Sequence, residues 1–270
     1  MNNGEHWYYP DGRCCYEIER SDGKGMRPTT LRDARKLGLL PSVTGILGVL
    51  DKPALNEWKI KTAVHAIITA PDVPGETLDQ KYERVLVTER QQDQESKIAR
   101  DRGTAIHDAM EKLCIGQDID PEIAPWVKPA FDAVLEYGEY VGCEKVLVGE
   151  GYAGKADLLL EGSVAGCFWL WDWKSAKKLP DPAKGAWFEH RLQLAAYAAA
   201  LDRHESTLKI RTGNIYISTV EQGKFVICEH PDWKAAYHEG FGPLVTHWQF
   251  ANGYYCPSCK TTLEPSESPA

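Results

Sequence analysis

Long apolar runs are missing from this chain, and so is any surplus of positive charge. Its apolar stretches fall short of the roughly 20 residues that a membrane-spanning helix needs. The opening Met1-Asn-Asn-Gly-Glu-His6 is polar and has none of a signal peptide's apolar core. No membrane partner is expected, and a cytoplasmic location is. With 31 Lys and Arg against 39 Asp and Glu, the formal net charge is -8, which excludes a generally basic DNA coat. It does not exclude an enzyme whose acids gather around a cation. Eight cysteines without a secretory leader read as free thiols rather than a disulfide framework. There is no internal repeat. The serines and cysteines show no recognisable order of nucleophile, base and orienter.

What is present centres on Gly154-Lys155-Ala156-Asp157 and Trp171-Asp172-Trp173-Lys174. Tyr152 to Leu160 and Cys167 to Trp173 are apolar, aromatic-rich runs, and the segment between them, Glu161 to Gly166, carries the glycines of a reversal. They read as a β-hairpin. A fold-back centred on Val164 and Ala165 sets Asp157 opposite Asp172, where facing side chains stand only ~5 Å apart at Cβ. Alternation points Asp172 and Lys174 to one face and Trp169, Trp171 and Trp173 to the other, which makes the tryptophans core. Two facing carboxylates repel, and a hard divalent ion such as Mg²⁺ or Mn²⁺ resolves the conflict with oxygen ligands. An isolated Asp-x-Lys is a common surface ion pair. Here it is embedded in Phe168-Trp-Leu-Trp-Asp172-Trp-Lys174, a run suited to a buried central strand, and buried charges need a partner or a metal.

Two helical segments flank the hairpin. Trp187 to Leu201 is alanine-rich, and Gln193 and Tyr197 stand one turn apart on it. Gly103-Thr-Ala-Ile-His107 opens or continues another helix, with Glu111 one turn beyond His107; on its own, His107 reads as a half-buried, hydrogen-bonded histidine.

Taken in order, Gly103-Thr-Ala-Ile-His107, Gly154-x-x-Asp157, Asp172-x-Lys174 and Gln193-Leu-x-x-x-Tyr197 resemble the motif series of the PD-(D/E)XK nuclease superfamily, specifically its RecB-like exonuclease branch. The wording of Gly151 to Asp157 and of Asp172 to Ser175 is similar to that of phage exonucleases and of the mitochondrial genome maintenance exonuclease. The resemblance covers about Gly103 to Leu201, with a weaker extension through Pro41 to Thr44 and Lys52 to Trp58. It implies an α/β (α+β) fold, a restriction-endonuclease-like core in which a central mixed sheet is flanked by helices. Residues 1–100 would be an N-terminal hairpin and helical extension, 101–255 the nuclease core and 256–270 a tail. It further implies that His107, Asp157, Asp172 and the backbone carbonyl of Trp173 bind Mg²⁺ or Mn²⁺, and that Lys174 orients or activates water. Gln193 and Tyr197 would brace the site or touch the phosphates. Neither Glu111 nor Glu150 aligns clearly with the family's first acid. The activity implied is a metal-dependent DNA exonuclease of phage or bacterial recombination and processing, acting on single- or double-stranded DNA. A single-strand-binding or annealing recombination protein would be its partner. A structure-specific or restriction-like endonuclease is the alternative, and a non-catalytic DNA-binding relative is disfavoured because every motif residue is present. A carbohydrate hydrolase fits less well, since directly opposed carboxylates are closer than that chemistry uses.

Basic groups for a nucleic-acid track are Arg32, Arg35 and Lys36, Lys59 and Lys61, Arg100 and Arg102, and Lys177, Lys178 and Lys184. Only the last set, just after Lys174, is placed by strand direction at the mouth of the site. Trp58 and Trp187 are candidates for stacking on unpaired bases, against the ordinary role of tryptophan as core. Cys256-Pro-Ser-Cys259 is half a zinc or iron-sulfur motif without an evident second half, so no structural metal is expected there. Along the rest of the chain, His6 to Tyr9 and Cys14 to Glu19 read as a hairpin. Helices are expected over Thr30 to Leu37, from Ser42 to about Leu50, from Pro53 to about Thr69, over Thr77 to Cys114 with a break near Gly103, and over Ala130 to Tyr140. Strands are expected at Gly213 to Thr219 and Lys224 to Glu229. A final helix from Trp233 to Trp248 is interrupted at Gly240 to Pro243, and the tail from Thr261 is disordered in composition.

Overall fold

The structure, a computed structural model, describes residues 6–92, 94–164, 166–204, 208–230 and 232–257, without the side chains at 54, 55, 88–92, 94–100 and 204. It divides into two compact units. One joins the residues up to Val49 with those from Ala105 onward, and the other is Leu50–Thr104.

The N-terminal hairpin does not form as expected. β1 (Trp7–Tyr8) pairs with β4 (Leu40–Pro41) and β2 (Glu17–Glu19) with β3 (Met26–Pro28), while the expected partners meet in a short turn, with a bridge from Tyr8 to Cys14 and backbone bonds from Tyr9 to Arg13 and from Cys15 to Trp7. Burial explains the exchange: Trp7 and Leu40 are sealed in the core, whereas Glu17 and Glu19 stay exposed. α1 (Leu31–Leu37) is capped by Thr30, whose N–H donates to Asp33 Oδ2 at 3.0 Å. α2 (Val43–Leu47) is capped by Ser42, whose Oγ accepts from the Gly45 N–H at 2.9 Å. It stops about a turn earlier than expected, ahead of Gly48.

In the second unit, α3 (Pro53–Thr69) starts at its proline as read from sequence, and α4 (Leu78–Gln92) is braced by Arg84 on Glu76 at 2.7 Å. α5 (Gln94–Cys114) is helical at Gly103, contrary to the expected break. One interior glycine costs about 1 kcal/mol relative to alanine, and the burial of Ile106, Ala109 and Met110 further along the helix outweighs it.

α6 (Ala124–Leu135) lies earlier than expected, because Glu139–Val148 is a strand, β5, which sequence reading misses. With β6 (Ala153–Glu161), β7 (Cys167–Ala176), β8 (Lys209–Ser218) and β9 (Phe225–His230) it forms a five-stranded sheet in the order β5-β6-β7-β8-β9. β7 and β8 are parallel and the other neighbours antiparallel, so the sheet is mixed. Trp169, Trp171 and Trp173 are core, as alternation requires: they pack with Leu158, Leu160 and Ile215 against Ile106 and Met110 of α5 and Val127 and Val134 of α6. Gly213 makes room for Trp171, since a Cβ there would fall 2.2 Å from the indole.

α7 (Phe188–His204) packs against β5, β6, β7 and β8. After β9 come α8 (Trp233–Ala235), a π-helical turn at Ala236–Phe241, and α9 (Gly242–Asn252). The expected interruption near Pro243 thus takes the form of a widened turn. Proline has no N–H to return to the carbonyl four residues back, and the π turn absorbs the mismatch. The Tyr254 hydroxyl donates to the Leu39 carbonyl at 2.7 Å, and Cys256 Sγ donates to that of Gly38 at 3.3 Å, tying the chain's end to its first helix. Cys256 is buried, and Cys14, Cys15, Cys114, Cys143, Cys167 and Cys228 are free thiols; Cys259 and the tail from Thr261 lie outside the described residues. Among the described residues no helix is long and apolar enough to cross a membrane.

Candidate active site

The β6–β7 ladder places the two central acids. Its pairs run from Glu161 with Phe168 to Leu158 with Trp171, and one step further Asp157 faces Asp172. There the Asp157 carboxylate takes over from the backbone ladder: its Oδ2 accepts the Trp173 N–H at 2.9 Å. On the neighbouring strand Lys174 Nζ donates to Asp172 Oδ1 at 2.8 Å and lies 2.6 Å from Oδ2. Asp172 is 1% exposed and Lys174 21%, so the pair is deep but still reaches solvent through the lysine. Asp172 Oδ2 also accepts from Asn214 Nδ2 at 2.9 Å.

Charge at this centre is unbalanced. Burial pushes the Asp157 carboxyl well above the usual range, and Asp172 pushes it further, against the opposing pull of Lys174 and the Trp173 N–H. Burial alone would lower the Lys174 ammonium, yet Asp172 and Asp157 outweigh it and raise its pKa. One lysine therefore does not satisfy both acids.

Tyr197 and Gln193 come together as their helical spacing requires, Gln193 Nε2 donating to the Tyr197 hydroxyl at 3.0 Å in a buried setting. Burial, then Asp172 and also Asp157, raise the Tyr197 phenol well above its ordinary value, which sets it within the field of both acids. Gly154 admits it: a Cβ at that position would lie 2.6 Å from the Tyr197 ring. This is the physical content of the glycine three residues before Asp157. His107 is half-buried on α5, and its pKa is lowered by burial and then by Lys174, with Asp172 and Glu144 opposing. It thus belongs to the same electrostatic neighbourhood. Lys177 and Lys178 are exposed on the stretch leaving β7. Of the two acids left unaligned, Glu111 is exposed on α5, and Glu150 lies 4.0 Å from Arg203 at a separate cavity of about 380 Å³ beside Tyr152, Trp233 and Tyr237.

Among the described residues, no group of three or more His, Cys, Asp and Glu side chains is gathered as a cage for a metal ion. The donor chemistry nevertheless fits a hard divalent cation. Two buried carboxylates face one another, and burial together with the Asp172 charge disfavours ionised Asp157. Oxygen donors of this kind are what Mg²⁺ and Mn²⁺ take.

Sequence reading missed Glu144 and Asn214. Glu144 sits on β5 between the pairs Cys143–Leu158 and Lys145–Ala156, hence opposite Asp157 of β6, and its carboxylate pairs with Lys155. Its φ of +50° is the one positive value at a non-glycine among the described residues, a strain of the sort found beside functional sites. No pattern in the sequence signals it. Asn214 does leave a trace: an amide inside the run Gly213-Asn-Ile-Tyr-Ile217 must find a buried partner.

This arrangement, with acids on adjacent strands of a mixed sheet and a lysine two residues after the second acid, is that of a nuclease core. Residues 130–260 match the family model described as PD-(D/E)XK nuclease superfamily. The matched stretch, just under half of the 270 residues, is similar to that superfamily, which implies a nuclease, a phosphodiester-cleaving hydrolase. No curated protein matches it.

Proposed function

We propose that this protein is a Mg²⁺- or Mn²⁺-dependent deoxyribonuclease that degrades DNA from its ends. The observation that carries the reading is the buried pair Asp157 and Asp172 on β6 and β7, with Lys174 bonded to the second acid, inside a nuclease-superfamily core. His107, Asp157, Asp172 and the Trp173 carbonyl are the residues that would hold the cation. When bound, it supplies the charge that lowers the pKa of an attacking water and neutralises the scissile phosphate. Lys174 orients that water and adds positive charge near the attacking or leaving oxygen. Gln193 and Tyr197 brace the acids from α7, and Lys177 and Lys178 meet the phosphate backbone at the mouth. No covalent intermediate is required.

End dependence rests on the order of the four motifs and their likeness to RecB-type exonucleases. A role in phage or bacterial DNA recombination, beside an annealing or single-strand-binding protein in the cytoplasm, follows from the same likeness. The test is incubation with Mg²⁺ or Mn²⁺ and end-labelled linear single- and double-stranded DNA beside a closed circle. Loss of the linear molecules alone is expected. Cutting of the circle would make the protein an endonuclease, of structure-specific or restriction-like type.

A further inference from the structure

We propose that Asn214 and His230, neither of them in the motif series, are positioning residues that fix the orientation of the Asp172 carboxylate and thereby its affinity for a divalent cation. The proposal rests on the metal-dependent reading above and extends it to β8 and β9.

The bonds among these residues have a single polarity. Asn214 stands beside Asp172 in the parallel β7–β8 register and is 0% exposed. Its Nδ2 donates to Asp172 Oδ2 at 2.9 Å and to the Asp172 carbonyl at 3.3 Å. Its Oδ1 lies 2.8 Å from His230 Nε2. An amide oxygen only accepts, so Nε2 must carry a hydrogen. Burial, with Arg191 nearby, holds the His230 pKa down to about 4. The ring is then neutral at neutral pH with one N–H, and the contact commits that hydrogen to Nε2.

Turning the Asn214 amide over would set its oxygen against the Asp172 carboxylate and its NH₂ against the His230 N–H. The first contact is repulsive and the second is relieved only by moving the ring hydrogen to Nδ1, so the Asp172 carboxylate and the His230 N–H together hold the amide in its orientation, and the amide holds the acid. A carboxylate held in this way presents its oxygens in a fixed plane, with Lys174 Nζ within 2.8 Å of both of them. Groups that orient a metal ligand without touching the metal are typically worth about 10–100-fold in metal affinity or activity. Asn214 and His230 have the geometry for that role: both are buried, with Asn214 bonded to Asp172 and His230 Nε2 bonded to Asn214.

The experiment is calorimetric titration of Mn²⁺ into the metal-free full-length chain, with single-turnover DNA cleavage at saturating Mn²⁺ measured alongside. Asn214→Ala and His230→Phe are expected to weaken Mn²⁺ binding about 10–100-fold. His230→Gln keeps an N–H donor for Asn214 and should recover most of what His230→Phe loses, a rescue that a merely space-filling histidine would not show. Unchanged Mn²⁺ affinity in Asn214→Ala and in both His230 variants would overturn the proposal, as would a His230→Gln no better than His230→Phe. If Asn214→Ala does not fold, the two His230 variants decide. Failure of the wild-type chain to bind Mn²⁺ would overturn the metal-dependent reading itself, and this inference with it.

Discussion

Lys174 Nζ lies within 2.8 Å of both carboxylate oxygens of Asp172, so in the metal-free protein the ammonium occupies the place where a cation is needed. Removing it leaves a buried carboxylate without its counter-charge, a loss of about 3–5 kcal/mol for pairs of this type. Lys174→Met is therefore expected to lower the metal-free melting temperature markedly and to regain part of the loss on addition of Mn²⁺. Thermal melts with and without the ion check this, and an unchanged melting temperature would show that the pair carries no structural weight.

Asp157 makes stability depend on pH in a definite direction. Burial and Asp172 raise its folded pKa above the unfolded value. The folded state therefore binds its proton more tightly, and the associated stability is complete below about pH 4, the ordinary range of aspartate. It is lost as pH rises through the folded value. The metal-free melting temperature should fall over that window, and Asp157→Asn should flatten the fall. Mn²⁺ binds the ionised form and should reverse the trend. At a hundredfold excess over Kd the gain is about 2.7 kcal/mol, or roughly 5–10 °C. A melting curve insensitive to pH in the wild type would remove the basis for this assignment.

Gly154 is the point where α7 meets β6. In Gly154→Ala the new methyl would sit 2.6 Å from the Tyr197 ring, so the ring or the strand must move. Overpacking of this kind costs about 1–3 kcal/mol. A loss of cleavage rate should accompany it, because Tyr197 and Asp157 shift relative to one another. Combining it with Tyr197→Ala should give far less than the sum of the two losses in stability; strict additivity in that double-mutant cycle would place the glycine's role elsewhere.

Lys177 and Lys178 are exposed just beyond Lys174 and are assigned to the phosphate backbone. Replacing both with alanine should weaken DNA binding whatever the sequence, and reduce the slope of log K against log salt by roughly 1.4–1.8, at 0.7–0.9 per contact. Fluorescence anisotropy across a salt series measures this. An unaltered slope would put the DNA track on another face.

The hairpin was legible because its turn is marked by glycines and its strands by aromatics, and the register centred on Val164 and Ala165 follows from them. Burial of the three tryptophans follows from the same alternation. β5 was not legible, because as a sheet edge it stays largely exposed and half-buried and shows no apolar period. The N-terminal pairing was misread for a different reason: the strand partner of Trp7 and Tyr8 is the buried pair Leu40 and Pro41, beyond a helix, while the nearer segment meets them through Cys14, Cys15 and Tyr16 and leaves Glu17 and Glu19 exposed. The link from Asp172 to Asn214 and on to His230 spans three strands, and linear spacing carries no sign of it.

If Asp157, Asp172 and Lys174 perform metal-dependent phosphodiester hydrolysis, the Mn²⁺-dependent cleavage rate of end-labelled linear DNA by the wild type, Asp172→Ala and Lys174→Ala reports it. Each variant must first be shown to be folded. Rapid cleavage by the wild type is expected only when the ion is present, with a loss of at least about 10²–10³-fold in either variant. Wild-type rates in either folded variant would contradict the assignment.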